Sequence, residues 1–237
     1  MATSGSSNFA TSRDSLIAGA LRIAGAIAQG ETPSATQVTE ASEALNMMVK
    51  ALQADGLPVW AIKETNVTLT ASTASYTIGD GATVDTPKPL KVYSAMLRNT
   101  DTDIDTPMTL LTRQEYNSLG NKTTEGDPIS FWYNPQLTTG TLTLYPTPST
   151  TVASSSVVRI IYQRPFEDFD ASTDEPDFPQ EWYEAIKFML ADRLAPEYGL
   201  SLQERQDISA RAERMHQAAL GFGTEEGSIR FQVNIDG

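Results

Sequence analysis

The chain offers few side chains that could do chemistry. Its single histidine, His216, sits at helical spacing among Arg211, Glu213 and Arg214, and there is no cysteine. One imidazole without a second imidazole or a thiol builds neither a metal cage nor a cysteine-based triad, so His216 reads as a solvated helix histidine. Asp101-Thr102-Asp103-Ile104-Asp105 opens with the spacing of a calcium loop, but Thr106 stands where the turn glycine belongs and Thr112 where the bidentate glutamate belongs. This stretch reads as an acidic hairpin tip. Gly79-Asp80-Gly81 is too short for a phosphate loop and lacks its lysine. Glu31 or Glu115 paired with an aspartate would suit glycoside cleavage, which needs carboxyls about 5–10 Å apart, but nothing in the sequence sets that separation. Phe131-Trp132-Tyr133 could stack on bases or sugars, yet packing in a strand core accounts for them more simply, and no lysines flank them. The expectation is no catalytic residue, no cofactor and no metal. The alternatives held against it are a peptidoglycan-cleaving glycosidase and a carbohydrate-binding module.

Composition narrows the class. With 237 residues, 40% of them hydrophobic and 20% charged, the chain can bury one large core or two small ones. The absence of cysteine excludes a disulfide frame. No apolar run approaches the roughly 20 residues that cross a bilayer, and Met1 to Ser7 lacks the basic and apolar regions of a secretion signal, so folding in the cytosol is expected. A net charge of −13 argues against binding DNA by phosphate neutralisation. It does not argue against lying beside DNA: an acidic wall repels a polyanion and suits a conduit that must not hold its cargo.

The elements follow in order. Thr11 to Asp14 reads as a capping box that opens a helix with Leu16, Ile17, Ala20, Leu21, Ala24 and Ile27 on its buried face, ended by Gly30. Its many small residues would let another backbone approach. Ser34 to Gln37 is a second box, opening a helix with Val38, Ala41, Leu45, Met48, Val49 and Leu52 as its stripe. After Leu57 the grammar becomes β. Strands are expected at 66–70 and 75–78, joined as a hairpin, then at 91–98, 129–133, 141–145 and 157–162, with a short capped helix from Thr112 to about Leu119.

After Arg164 and Pro165 comes the most acidic segment, with Glu167, Asp168, Asp170, Asp174, Glu175 and Asp177 leading to Glu181 and Glu184. The helix that follows is the centre of the chain. Pro179 is expected in its first turn, and Trp182, Ala185, Ile186, Met189 and Leu190 form one broad apolar stripe. Phe188 lies off that stripe. With Tyr183 it is a candidate contact between neighbouring subunits. A last helix opens with the box Ser201 to Glu204 and carries Ile208, Ala212, Met215, Ala219 and Phe222. Beyond it, Ser228-Ile229-Arg230-Phe231-Gln232-Val233-Asn234-Ile235 alternates apolar and polar, a strand without a sequence-local partner.

The expected fold class is α+β: a helical bundle, made of the N-terminal hairpin and two C-terminal helices, with an inserted, mostly antiparallel β domain and an extended tail. The expected boundaries are 1–60 for the hairpin, 61–165 for the β domain, 166–222 for the acidic loop and later helices, and 223–237 for a docking arm.

Taken together, Leu45-Asn46-Met47-Met48, Asp55-Gly56-Leu57-Pro58-Val59-Trp60, Leu142-Thr143-Leu144-Tyr145-Pro146-Thr147-Pro148, Phe178-Pro179-Gln180-Glu181-Trp182 and Leu190 to Gly199 resemble the head-to-tail adaptor (connector, or tail accessory factor) family of short-tailed bacteriophages, in its P22-like form. The resemblance covers most of the chain. It implies a virion protein that forms a ring of about twelve copies beneath the portal, extends the DNA channel and carries the tail nozzle or hub protein. It implies that Ile229, Arg230, Phe231, Val233 and Ile235 grip the portal, and that Glu167, Asp168, Asp170, Asp174 and Glu175 are candidates to line a channel through which double-stranded DNA passes without specific binding. No membrane contact is implied.

Overall fold

The computed structural model describes residues 5–55 and 59–222. The chain divides into two compact units: one from residues 1–60 together with 166–237, the other from residues 61–165. The fold is mixed α and β, with six α-helices and one large, mostly antiparallel sheet among the described residues.

In the first unit, helix α1 (Arg13–Ile23) is capped by Ser12, whose Oγ accepts from Ser15 N. The cap lies one residue later than expected: the Asp14 N–H that a box from Thr11 would engage donates to the Ser172 carbonyl at 3.3 Å instead, and the Asp14 carboxylate pairs with Arg13. The helix also ends earlier than Gly30. Ala26 N donates to Leu21 O and Gly25 N to Arg22 O, the two bonds of a Schellman motif, with Gly25 at φ 68° as its left-handed residue. Helix α2 (Ala35–Asp55) opens on the expected box: Ser34 N donates to Gln37 Oε1 and Gln37 N to Ser34 Oγ.

The longest-range helix contacts converge on α5 (Tyr183–Leu194), which packs against α1, α2 and α6 (Leu202–Phe222). Ala185, Ile186, Leu190, Ala191 and Leu194 of α5 are buried, as are Leu16, Ile17, Ala20 and Leu21 of α1 and Ala41, Leu45 and Val49 of α2, the helices it packs against. The small residues of α1 work as read from sequence. At Gly19 a Cβ would stand 3.0 Å from Lys187 Cδ, so glycine lets α5 close in. Pro179 precedes a 3-10 turn, Gln180–Trp182, instead of entering the first turn of α5, since its ψ of 152° is extended. An aromatic knot of Trp60, Phe166, Phe178 and Trp182 fills the space beside α5, with ring centroids 4.7 Å apart for Phe166 and Phe178 and 5.2 Å for Trp60 and Trp182. It joins the residue where the chain leaves this unit to the residue where it returns.

The second unit is a sheet in the order β1-β10-β4-β5-β7-β8-β2-β3. The strands are β1 (Ile62–Thr68), β2 (Ser75–Gly79), β3 (Val84–Asp85), β4 (Lys91–Asn99), β5 (Asp105–Leu110), β7 (Ser130–Pro135), β8 (Gly140–Tyr145) and β10 (Ser156–Gln163); β6 (Glu125–Gly126) and β9 (Thr147–Pro148) form a separate parallel pair. Helices α3 (Arg113–Ser118) and α4 (Thr150–Ser155) sit in the connections. The core joins Val67, Tyr76, Ile78, Phe131, Leu142, Leu144, Val158 and Ile160.

The expected hairpin between 66–70 and 75–78 does not form. β1 pairs with β10 in the register Ile62 to Gln163, and β2 pairs with β8 in the register Ser75 to Thr143. The short link between them is tied instead by the Tyr76 hydroxyl, which takes the Thr70 amide and lies 3.0 Å from the Thr73 carbonyl. Trp132 also departs from expectation. Phe131 enters the core and Tyr133 packs against it, but Trp132, on the other face of the pleat, stacks on Tyr116 at 5.3 Å with the Arg113 guanidinium 5.5 Å from its ring.

Candidate functional site

The acidic segment is not a loose run of charge. Three buried aromatics, Phe166, Phe169 and Phe178, alternate with its acids and anchor it in the first unit. Helix α2 then grips its backbone with a polar stripe. The Asn46 amide makes both bonds to Phe169, accepting from its N–H at 2.9 Å and donating to its carbonyl at 3.3 Å. Lys50 Nζ donates to the Phe166 carbonyl at 2.8 Å, and Gln53 Oε1 accepts from the Phe166 N–H at 3.3 Å. Positions 46, 50 and 53 share one helix face, so the stripe is a consequence of helical spacing. The sequence showed neither these three residues nor the phenylalanines as site residues; the signal available was a polar i, i+4, i+7 row beside an apolar stripe.

The five acids expected as channel lining divide by role. Asp174 is part of the loop's own framework: its Oδ2 accepts from Asp170 N at 2.8 Å and Ala171 N at 2.6 Å, while its carbonyl accepts from Arg13 N. Asp168 pairs with Lys50 at 2.5 Å. Glu167, Asp170 and Glu175 have exposed side chains. Their own backbone N–H groups hold Glu167, through Asp177 Oδ2, and Asp170, through Asp174 Oδ2, while leaving those carboxylates in solvent.

Tyr183 and Phe188, the expected interface residues, are both half-buried on α5. The Tyr183 ring lies 6.2 Å from Phe9, which is 68% exposed. Burial, and then the nearby Glu175 and Glu181 charges, push the Tyr183 phenol above its ordinary range. Phe188 carries the Lys187 ammonium 5.6 Å from its ring centre. The stretch Gly5 to Ser12 runs past the start of α5, where Gln180 accepts from Phe9 N at 3.1 Å and donates to the Ser7 carbonyl at 3.0 Å. Ile229, Arg230, Phe231, Val233 and Ile235 lie outside the described residues.

On the far side of α5, α2 and α6 flank it and leave a groove of about 730 Å³. Met48, Leu52, Met189 and Ala212 supply apolar lining, and Asp192 and Glu213 are among its charged residues. Burial raises the Asp192 carboxyl above the usual range, against a Ser209 hydrogen bond that lowers it. His216 borders the groove and meets the Trp182 ring edge-on at 5.8 Å. It is therefore half-buried and packed, not simply solvated as its neighbours in sequence suggested.

The acids considered for glycoside cleavage have structural work. Glu115 closes the capping box of α3, accepting from Thr112 N at 2.6 Å, which holds its carboxyl below the usual range. Glu31 Oε2 accepts from Ala28 N at 2.9 Å. The calcium-like loop is engaged too: Arg98 pairs with Asp103 at 2.6 Å and Asp105 at 3.1 Å, closing the hairpin between β4 and β5. Among the described residues no helix is long and apolar enough to cross a membrane.

The sequence model of the SU10 adaptor protein family matches residues 11–228. None of the curated proteins matches the chain.

Proposed function

The chain belongs to the SU10 adaptor protein family, a family of phage structural adaptors, and from that premise we propose that it is a ring-forming head-to-tail adaptor of the virion. About twelve copies assemble beneath the portal, join it to the tail nozzle or hub, and extend the DNA channel, in the manner of the P22-like adaptors it resembles. The helices act together as a bundle, the β unit is an insertion, and residues 223–237 are the arm that grips the portal. Assembly takes place in the host cytoplasm.

One observation supports this reading most: Glu167, Asp170 and Glu175 stand exposed on a segment whose backbone is pinned by Asn46, Lys50 and Gln53. Exposed carboxylates on an anchored segment suit a wall that repels a passing polyanion better than they suit catalysis, which would need a matched acid and base. Tyr183 and Phe188 supply apolar surface for a neighbouring copy. The test is the mass of the purified chain alone and mixed with portal rings. Growth to a ring on the portal is expected; a chain that stays the same size in both samples overturns the proposal.

A further inference from the structure

Helix α6 carries the chain out along one wall of the groove over α5. Ser209, His216 and Leu220 line that wall, and the helix ends at Phe222. The sequence continues with Gly223-Thr224-Glu225-Glu226-Gly227, a polar link bracketed by glycines, and then with the alternating stretch Ser228 to Ile235. We propose that this groove is the docking site for residues 228–235 of the same chain, which reverse after α6 and lay Ile229, Phe231 and Val233 on Met48, Leu52 and Met189.

Length and chemistry both favour this occupant. From Ser209 to Leu220 the wall runs about 17 Å along the helix, and Ile229 to Ile235 spans about 20 Å when extended. Glycines at 223 and 227 permit the reversal that a β-branched link would resist. Apolar side chains on alternate residues would all face the groove floor, and methionines at 48 and 189 adjust to knobs of different size. The outward edge carries Arg230, the one base among residues 223–237, and the groove lining offers Glu213 to it. The docked segment is a held reserve: an assembly partner that needs the arm must first displace it from α5.

This inference concerns the free chain and stands apart from the ring reading. Because the protein has no cysteine, Gln217→Cys with Gln232→Cys introduces one clean pair and leaves the three apolar anchors in place. Mild oxidation of the dilute full chain is expected to give a monomer of altered mobility that reverts on reduction. Disulfide-linked dimers would overturn the same-chain assignment, and no crosslink in either form would overturn docking. Methyl NMR of Met48 and Met189 gives a second readout without new cysteines. Their signals are expected to shift when the chain is ended after Phe222, and superimposable spectra would overturn the proposal. Rings that form on the portal while these signals never change would sink this inference and leave the proposed function intact.

Discussion

The Tyr133 ring lies across Gly140 on the neighbouring strand. A Cβ at Gly140 would fall 2.1 Å from the Tyr133 hydroxyl oxygen and 2.5 Å from its ring carbons. The ring cannot swing away freely, since its hydroxyl donates to the Pro89 carbonyl at 2.7 Å and burial pushes that phenol up to about 12. This is a glycine covered by a cross-strand aromatic, and it fixes the register of β7 on β8. Gly140→Ala is expected to destabilise the protein by about 1–3 kcal/mol, read from urea unfolding. In the background of Tyr133→Ala the same change is expected to cost much less; additive costs would mean that the ring is not the obstacle.

The grip of α2 on the acidic segment separates geometry from charge. Asn46→Ala leaves the Phe169 N–H and carbonyl without their partner and is expected to cost about 1–2 kcal/mol. Glu167→Gln, Asp170→Gln and Glu175→Gln together are expected to leave thermal stability nearly unchanged. If the wall reading holds, lysine at those three positions slows DNA exit from the virion, and ejection rates equal to the parent would count against it.

Asp192 gives a pH signature. Its folded carboxyl binds a proton more readily than the unfolded one, because burial disfavours the charge. Stability is therefore lowered as pH rises through the unfolded and then the folded value, and it stays lowered at neutral pH. Asp192→Asn is expected to be more stable than the parent at pH 7, by less than about 1 kcal/mol for a half-exposed group, and to lose that advantage below about pH 4. An unchanged difference across that range would show that the carboxyl is not penalised.

Glu204 has the opposite sign. Its carboxyl is held low by the Ser201 hydroxyl and then the Ser201 amide, which it accepts at 2.7 and 2.9 Å. Its contribution is present above the unfolded value and is lost as pH falls through the folded one. Melting of the parent is expected to drop more steeply with acid than melting of Glu204→Gln; parallel curves would remove the cap from the account.

Phe188 and Ile186 sit two residues apart on α5 but face different surroundings: Ile186 is fully buried, Phe188 half-exposed. Ile186→Ala is expected to cost about 2–5 kcal/mol. Phe188→Ser is expected to cost far less and yet to abolish assembly of copies on the portal. Normal assembly of the serine variant would remove Phe188 from the interface.

Local signals were the legible ones. The boxes at Ser34, Thr112 and Ser201 were readable because cap and partner lie three residues apart, and β7, β8 and β10 because their apolar runs are bounded by prolines or glycines. Strand partners were not readable in the same way. β1 chose β10, about a hundred positions away by the pairing Ile62 to Gln163, since its Val67 completes a core with Val158 that no local turn announces. The two-residue strand β3, and β5 with Pro107 in its middle, carry too little pattern to read. At the candidate site, charge was visible but anchorage was not. Phe166, Phe169 and Phe178 hide among acids, and their value depends on Trp60 and Trp182 arriving from elsewhere in the chain.

The split of the helical unit has a consequence for how the chain is made. Residues 61–165 can close their sheet as soon as they leave the ribosome, for every strand partner is then in hand. Helices α1 and α2, whose Ile17, Leu21 and Leu45 are buried in the finished unit, cannot finish, because α5, on which both helices pack, is still untranslated. At elongation rates of about 5–20 residues per second that delay, the stretch from the end of α2 to the end of α5, is roughly 7–28 s. During it the newborn N-terminal hairpin shows its oily side to the cell, which makes it the stretch of the nascent chain most in need of a chaperone.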